Sequence, residues 1–543
     1  MNLISRLPRL WPLWLAGALV LLLGMRLDVM EVDSAQYASI AREMLHNGEW
    51  LEVYEHGKTY NSRGFPDKPP LLFWAGAAGM WLLGENNWGF KLIATLVGLL
   101  GIFAVGRWAA LLFGEQAKSP ARLFYSFNAG FMLMHMDLRT DAMLVHFIAI
   151  GCWQLEVYLR SERKSAFFWA FTSLALGMLA KGPVALIAVL AAFGPEALLR
   201  RDWKRLFRWE WLVGSIWLLL LLSPMLYGLY TQWGWEKGIK YYFWTQSFGR
   251  ITGENVWENN LPITYLLENF AWAFLPWVPL FGIMLVNELK QRFAGLKAPG
   301  LAVPAFGFVL MLAAMSLSKY KLPHYVYVCW PFAAVWLAGW WTKNEQHNRW
   351  GQLHLVIGAL IVAFTVFLLF WAFDFNLLTT LSPLFLWLAL LLWQQRALET
   401  SCQKLLPAAW AMLLFGLAAN GLFYPSLLPY QSAAMAGKLS KQSKAPLPLY
   451  HHLENDESIH TIHFYSGQIV EAIHPQDLPP VQKLQVYTTP ELAALWENTP
   501  RTRIIARMEL PYFKVSSLTL DFIHSPSREQ QVEKRVLLTV IID

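Results

Sequence analysis

The stretch that decides the fold is WGFKLIATLVGLLGIFAVGRWAALLF, residues 88–113, in which only Lys91 and Arg107 are charged. As a helix with a rise of about 1.5 Å per residue, it is long enough to cross the roughly 30 Å hydrocarbon core of a membrane. Twelve further apolar runs predict the remaining spans: residues 10–25, 120–136, 140–158, 166–180, 182–199, 209–230, 263–287, 301–317, 324–342, 353–372, 375–394 and 405–423. The sequence therefore predicts an α-helical polytopic membrane protein with about thirteen transmembrane helices.

The composition excludes a water-soluble protein. Of the 543 residues, 56% are hydrophobic and 15% are charged, whereas a soluble domain carries about 25% charged residues. The net charge of +7 fits the excess of Lys and Arg that orients membrane proteins, so membrane lipids are expected as partners and nucleic acid is not. The three cysteines lie far apart without a CxxC pair, which excludes a disulfide framework.

The basic loops predict the orientation. The apolar stretch 69–83 is only about 15 residues long, and we interpret it as an interfacial helix on the outer side. The basic segments 160–164, 200–208, 290–297 and 396–404 then all lie in the cytoplasm, as the positive-inside rule requires. The basic N-terminus lacks a small-residue cleavage site and is predicted to be cytoplasmic. Thirteen spans then place the C-terminus outside.

Two domains are predicted. Residues 1–423 form the transmembrane domain, with a long outer loop at 28–87, and residues 424–543 form a small soluble α/β domain on the outer side. In the latter, short segments rich in apolar residues predict strands at 461–470, 483–489, 503–510 and 535–542, and residues 490–496 are predicted to be helical.

The first outer loop carries two candidate functional segments. Asp33 directly precedes a predicted helix over residues 34–45, so its carboxylate either caps that helix or belongs to a site. Asp67 and Lys68 precede two prolines in a rigid corner, which is either a simple turn or part of the same site.

A second group of charges lies where apolar runs meet. Asp137, Arg139 and Asp141 stand between two runs with almost no loop, and charges at such positions cost free energy unless they are paired or functional. Pairing of Arg139 with Asp137 or Asp141 is the simpler interpretation. Lys181 also interrupts two runs, and snorkelling toward water explains it equally well.

Three more cations, Arg250, Lys319 and Lys321, fall in outer loops. Cations on the outer side oppose the positive-inside rule, which indicates that they bind an anion, and Lys with Arg suits a phosphate. We therefore predict an outer cavity in which a carboxylate deprotonates an acceptor and cations stabilise a leaving phosphate. No nucleotide-binding motif is present, so the expected donor is lipid-linked. The residues predicted to line this outer cavity are Asp33, Asp141, Lys68, Lys181, Arg250, Lys319 and Lys321.

Together, these segments resemble the bacterial branch of the protein O-mannosyltransferase superfamily. The motifs that carry the resemblance are Asp33-Ser-Ala-Gln-Tyr37, Asp67-Lys68-Pro69-Pro70, Arg139-Thr-Asp141, Ala180-Lys181-Gly182-Pro183, Leu275-Pro276-Trp277 and Ser318-Lys319-Tyr-Lys321-Leu322-Pro323. They cover roughly residues 10–345 in the order of the family. The resemblance implies the GT-C fold, with thirteen spans and a periplasmic C-terminal domain.

The resemblance also implies an activity and residue roles. Members in the bacterial inner membrane transfer a sugar from a polyprenyl (undecaprenyl) phosphate, and the best-known member transfers 4-amino-4-deoxy-L-arabinose to lipid A. By motif, Asp33 and Asp141 resemble the catalytic carboxylates, and Lys68 and Arg250 the donor-phosphate ligands. Ser247 stands where relatives tend to carry a histidine implicated in metal binding, so no metal ligand is assigned. Further candidates are Asp67, Arg139 and Tyr325.

Three alternatives remain open at the level of the sequence. A protein O-glycosyltransferase of the same superfamily would use a Ser or Thr acceptor. A lipid-linked sugar transporter or flippase would more often show repeats and helices broken at mid-membrane, whereas the charges here cluster at one membrane face. A scaffold leaves the outer Lys, Arg and Asp residues unexplained. We therefore predict a polyprenyl-phosphate-sugar-dependent glycosyltransferase, with lipid A or another envelope glycolipid as the acceptor.

Overall fold

The computed structural model describes residues 10–55, 64–249, 258–259, 261–293, 303–344, 347–395, 401–443, 446–453 and 458–542. Within them the chain is mainly helical. Helices α1 to α11 run over Trp11–Arg26, Asp33–Asn47, Leu71–Leu83, Asn87–Phe113, Lys118–Ser126, Ala129–Met136, Asp141–Ser161, Lys164–Lys181, Val184–Leu199, Trp203–Leu206 and Glu210–Gly234. A π-helical stretch, Trp235–Phe248, continues α11. The next helices are Tyr265–Ala273, Val278–Phe293, Val303–Ser316, Trp330–Lys343, His347–Ala372, Leu377–Gln395, Leu406–Ala418 and Tyr424–Leu427.

Among the described residues, five helical segments are long and apolar enough to cross a membrane: Asn87–Phe113, Asp141–Ser161, Glu210–Gln246, Arg349–Ala372 and Cys402–Tyr430. Shorter apolar helices accompany them at Trp11–Arg26, Leu71–Leu83, Val184–Leu199, Val303–Ser316 and Leu377–Trp393. The chain is therefore a multi-pass membrane protein with a helical bundle.

Some predicted spans are broken helices. The run 120–136 forms α5 and α6 because Asn128 caps α6, accepting a hydrogen bond from the Phe131 N–H at 2.8 Å. The Asn128 amide also donates to the carbonyl of Tyr125, which belongs to α5. The run 263–287 likewise divides at 274–277, between Tyr265–Ala273 and Val278–Phe293. A continuous apolar run in the sequence thus does not require a continuous helix.

Helix α3 packs between α2 and α4, so the first loop begins and ends against the bundle. Gly79 of α3 faces Gly89 of α4 at backbone contact, since a Cβ on Gly79 would lie 2.2 Å from the Gly89 carbonyl oxygen. Tyr37 of α2 packs on Phe73 of α3, with ring centroids 5.8 Å apart. These contacts fix α2, whose first residue is Asp33, on the helical bundle.

The C-terminal part of the chain contains a five-stranded mixed sheet. Strands β1 to β5 run over Leu449–His452, Glu471–Ala472, Lys483–Thr488, Thr502–Tyr512 and Glu533–Ile542. They lie in the order β2-β1-β3-β5-β4. Strand β1 is parallel to β2 and β3, whereas β5 is antiparallel to β3 and β4. The helices of this part are Ser432–Gln442, Ile459–Ser466, Pro490–Glu497, Leu520–Ile523 and Ser525–Gln531.

Most of the element predictions for this part are confirmed. The predicted strands at 483–489, 503–510 and 535–542 correspond to β3, β4 and β5, and the helix at 490–496 is present. The strand predicted at 461–470 is wrong, because Ile459–Ser466 is a helix ended by Gly467 at φ +73°. All its residues from Thr461 to Ser466 are buried, and so short a buried run gives no periodicity that separates helix from strand.

The C-terminal part packs directly on the first loop. Helix Ile459–Ser466 contacts α2, where the buried Arg42 donates to the backbone carbonyl of His463. The Tyr465 hydroxyl accepts from the Val29 N–H at 2.9 Å and donates to Asn87 Oδ1 at 2.7 Å. The start of the first loop is therefore held by residues more than 400 positions later in the chain.

Candidate active site

A cavity of about 410 Å³ lies at one end of the bundle. Its walls come from the first loop, the start of α7, the end of α8, the π-helical stretch and the segment Pro323–Cys329. Helix Ile459–Ser466 adds His460 to the wall. The polar side chains around it are Asp33, Gln36, Tyr37, Asp67, Lys68, Arg139, Thr140, Asp141, Lys181, Tyr242, Gln246, Tyr320, His324, Tyr325 and His460.

Arg139 joins two carboxylates at the cavity. Its Nη1 donates to Asp33 Oδ2 at 2.9 Å and its Nε donates to Asp137 Oδ2 at 3.1 Å. Val32 is the N-cap of α2 and Asp33 is the first helical residue, so Asp33 does not occupy the capping position. Burial lowers the pKa of Arg139, but the carboxylates of Asp137 and Asp33 raise this pKa by more. The pKa is therefore raised overall, and the guanidinium stays charged. Asp33 thus faces the cavity as a paired carboxylate.

The second carboxylate, Asp141, binds Lys181. The Lys181 ammonium lies 2.6 Å from Asp141 Oδ1 and 2.7 Å from Oδ2, and it sits over the ring of Tyr325 at 4.6 Å from the centroid. Only 3% of the Asp141 side chain and 17% of the Lys181 side chain are exposed. Lys181 is therefore fixed inside the protein by Asp141 and Tyr325 rather than reaching into water.

His324 lies between the two charge pairs. Its Nδ1 is 3.3 Å from Arg139 Nη1 and its Nε2 is 3.7 Å from Asp141 Oδ2. The imidazole therefore spans the space between the Asp33 pair and the Asp141 pair. His324 was not among the predicted site residues. Its place in the sequence between the candidates Lys321 and Tyr325 was the signal that could have selected it.

The predicted corner at Asp67 and Lys68 also faces the cavity. Asp67 Oδ1 accepts a hydrogen bond from the Tyr241 hydroxyl at 2.6 Å and one from Gln246 Nε2 at 3.2 Å. These bonds tie the corner to the π-helical stretch. Lys68 is half-buried and lines the cavity wall.

The other predicted cations lie elsewhere. Lys321 is 7% exposed and donates to the Leu261 carbonyl at 3.1 Å, and neither Lys321 nor Lys319 lines the cavity. Lys319 lies 3.4 Å from Glu258, with both side chains half exposed. Arg250 lies outside the described residues. The structure thus brings together Asp33, Asp67, Lys68, Arg139, Asp141, Lys181 and Tyr325 of the predicted set.

Two cavity residues were not among the candidates chosen from the sequence, although Tyr37 stands in the first motif. His460 Nε2 lies 3.4 Å from Glu55 Oε1 and 3.4 Å from Gln36 Nε2, across more than 400 residues of chain. Tyr37 is buried beside Asp33, and burial and that carboxylate raise the pKa of its phenol well above the usual value. Tyr37 therefore stays protonated near Asp33 at neutral pH.

The residues present do not form a metal site in the part of the chain that the structure describes. No three His, Cys, Asp or Glu side chains there come together as a metal ligand set. Ser247 supplies no imidazole at the position where the resemblance implied one. We assign no step of the chemistry to a metal.

Comparison with solved structures identifies the fold. A crystal structure of ArnT from Cupriavidus metallidurans in the apo state superposes with a TM-score of 0.73 at 18% identity, covering 98% of this chain and 97% of that chain. The structure of ArnT from the same organism bound to undecaprenyl phosphate gives 0.74, with 97% of each chain covered. At this identity the likeness shows the fold, which confirms the predicted GT-C architecture. A family model described as dolichyl-phosphate-mannose-protein mannosyltransferase matches residues 67–227.

Comparison with individual protein sequences identifies relatives with a named activity. The chain is 28% identical over 347 residues to the undecaprenyl phosphate-alpha-4-amino-4-deoxy-L-arabinose arabinosyl transferase of Edwardsiella ictaluri. That match covers 60% of this chain and 59% of the relative. The transferase 1 of the same name from Pseudomonas fluorescens is 28% identical over 403 residues, or 66% of this chain and 68% of the relative. The resemblance predicted from the motifs is thereby confirmed.

Proposed function

We propose that the chain is a glycosyltransferase of the bacterial inner membrane that transfers a sugar from a polyprenyl (undecaprenyl) phosphate donor. The proposed acceptor is lipid A or another envelope glycolipid. The observation that carries the proposal is the cavity in which Asp33 and Asp141 face Lys68, Arg139 and Lys181. Relatives named as transferases that use an undecaprenyl-phosphate aminosugar support the same donor class.

In the proposed reaction, an acceptor oxygen attacks the anomeric carbon of the donor sugar. The bond from that carbon to the phosphate oxygen breaks, and the phosphate leaves with the bonding pair. Asp33 takes the proton when the acceptor is a hydroxyl, and it orients the oxygen when the acceptor is itself a phosphate. Arg139 holds the Asp33 carboxylate in place at 2.9 Å.

The cations act on the leaving group. Lys68 and Lys181 stand on the cavity wall, where they stabilise the developing charge of the lipid phosphate. Asp141 and Tyr325 position Lys181. The motif resemblance supports Arg250 as a further phosphate ligand. His324 lies between the two carboxylates and maintains their separation.

The proposal includes a topology. The thirteen spans put the N-terminus in the cytoplasm and the cavity in the periplasm, with residues 1–423 as the transmembrane domain and residues 424–543 as a periplasmic domain. The basic segments at 160–164 and 200–208, which fall on the cytoplasmic side in this arrangement, support it. The first loop, 28–87, then forms the periplasmic wall of the cavity.

Transfer by the purified full-length protein tests the proposed function. Radiolabelled undecaprenyl-phosphate sugars are supplied with lipid A, or with a Ser/Thr-containing peptide, in detergent micelles. We expect label in lipid A with the wild type and a large loss with Asp33→Asn. Label in the peptide alone would replace lipid A by a protein acceptor. No transfer from any polyprenyl-linked donor would overturn the proposal.

A further inference from the structure

A second cavity, here called the junction groove, has a volume of about 480 Å³. It lies between the last turn of α1, the segment 420–431 and helix Ser432–Gln442. One part of its wall is apolar, with Leu23, Pro425 and Met435. Another part is polar, with Arg26, Asp28 and Lys438. The junction groove is therefore amphipathic and separate from the candidate active site.

The polar wall has more positive than negative charge. Lys438 lies 2.5 Å from Asp28, and Asp28 also accepts from Asn87 Nδ2 at 3.0 Å. Arg26 is exposed in the last turn of α1, and its guanidinium makes no hydrogen bond or ion pair with any other described residue. The one carboxylate in this wall, Asp28, binds Lys438, which leaves Arg26 to bind an anionic ligand.

The location indicates a lipid rather than a soluble anion. The apolar wall belongs to the ends of two apolar helices, Trp11–Arg26 and Cys402–Tyr430, so it faces the hydrocarbon, while the charged wall lies where headgroups begin. In the proposed orientation Arg26 is at the outer end of α1, where the positive-inside rule disfavours a cation. Cationic side chains at the end of an apolar helix suit the phosphate of a lipid headgroup.

The junction groove also contacts the segment that leads to Asp33. Gln431 lines the groove and is fully buried; its Oε1 accepts from the Glu31 N–H at 3.1 Å and its Nε2 donates to the Val29 carbonyl at 3.3 Å. Asp28 in the groove and Asp33 in the cavity are thus the two ends of one short clamped segment. A ligand in the groove stabilises this segment.

We propose that the junction groove binds an anionic phospholipid, with its phosphate between Arg26 and Lys438 and an acyl chain along Leu23 and Pro425. The orientation assumed for Arg26 rests on the proposed function, but the binding itself does not require sugar transfer. The bound lipid supports the segment 28–33 and thereby the position of Asp33.

The test uses the full chain in nanodiscs of phosphatidylcholine that contain a trace of photoactivatable phosphatidylglycerol. We expect labelling of peptides from 23–28 and 420–442, displaced by unlabelled phosphatidylglycerol and not by phosphatidylcholine. Since a charge-assisted contact contributes on the order of one to two decades of affinity, Arg26→Gln with Lys438→Gln should weaken labelling about tenfold or more. Arg107→Gln is the matched control, because Arg107 is an interfacial cation paired with Glu115 at 3.7 Å and lies outside the groove. Unchanged labelling in the double variant would overturn the proposal.

Two further variants separate a lipid site from a misfolded protein. A Cβ on Gly421 meets only Leu23 Cδ1, at 3.7 Å, so Gly421→Phe should fold and block the apolar part, with loss of labelling. Asp28→Asn removes the competing carboxylate and should strengthen labelling. If inorganic phosphate displaced the labelled lipid as effectively as unlabelled phosphatidylglycerol does, the groove would be a site for a soluble anion and the lipid proposal would be wrong. Because labelling is read without a donor sugar, an inactive transferase that still binds the lipid would overturn the proposed function and leave this site intact.

Discussion

Arg139 binds two carboxylates that differ in what they face. Asp33 lines the candidate active site, whereas Asp137 does not. Only 12% of the Asp137 side chain is exposed, against 35% of that of Asp33. Burial raises the pKa of the Asp137 carboxyl, and Arg139 opposes that shift. At the scale of single residues, Asp137 therefore acts on the position of Arg139, and Asp33 is the member of the pair that a substrate reaches.

This difference gives a matched pair of variants. Asp33→Asn keeps the size and an oxygen for Arg139 but removes the base, so kcat should fall about 100-fold or more. Asp137→Asn should leave most of kcat, because it removes a carboxylate outside the cavity. Transfer from a labelled undecaprenyl-phosphate sugar to lipid A measures both. Normal turnover of Asp33→Asn would move the base to Asp141.

Lys68 and Lys319 form a second pair. Lys68 lines the cavity, whereas Lys319 lies outside it beside Glu258. Lys68→Ala should lower kcat/KM for the donor by about 10- to 150-fold. This loss corresponds to one charge-assisted contact with phosphate. Lys319→Ala should change kcat/KM less than about threefold, because an exposed ion pair contributes little. Equal losses in the two variants would contradict the assignment.

At the scale of elements, close packing fixes the first loop on the bundle. Gly228 of α11 meets the backbone of that loop, since a Cβ on Gly228 would lie 1.9 Å from the Leu51 carbonyl oxygen. Gly282 of the helix Val278–Phe293 has no described atom within 4 Å of the same position. Both glycines are helical and neither precedes a proline, so they differ in what faces them.

Alanine at these two glycines should therefore have opposite effects. Gly228→Ala should lower the melting temperature in detergent and reduce transfer, because the loop that carries Asp67 and Lys68 must move. Gly282→Ala should leave stability unchanged or raise it by up to about 1 kcal/mol, since alanine is the better helix former. Thermal unfolding of the two purified variants measures the difference, and equal melting temperatures would contradict the packing argument.

The elements also show where prediction from the sequence succeeds. Strands β3 and β5 were predictable because each is a short run rich in Val, Leu, Ile, Tyr and Thr. The broken helices at 274–277 and at Asn128 were not, since apolar composition alone does not report a capping side chain. The helix Ile459–Ser466 was missed for the related reason that its residues from Thr461 to Ser466 are all buried. Composition locates an element, and packing decides its type.

At the scale of the whole molecule, the motifs selected most of the candidate site. Arg139, Asp141 and Lys181 were found because charges where apolar runs meet are costly and therefore informative. Asp33 and Lys68 were found in the first outer loop, at a helix start and at a proline corner. His460 and Gln431 could not be found, since their roles depend on contacts with the first loop across 400 or more residues. Contacts of that separation leave no local pattern in one sequence.

The proposed orientation gives one further test. A reporter fused after residue 543 should be active only in the periplasm, and one inserted near Lys204 only in the cytoplasm. Paired alkaline phosphatase and fluorescent-protein fusions in intact cells measure both positions. Both reporters on one side of the membrane would exclude the thirteen-span arrangement.

The packing of Ile459–Ser466 and Gln431 on the first loop has a consequence for biosynthesis. The cavity wall combines Asp33, which the ribosome makes early, with His460, which it makes late. The cavity of a nascent chain is therefore incomplete while the last helices and the C-terminal sheet are still being translated. In the proposed orientation, the cavity wall is complete only after the part of the chain that carries His460 has been made and exported, so shorter translation products lack part of the site proposed for sugar transfer.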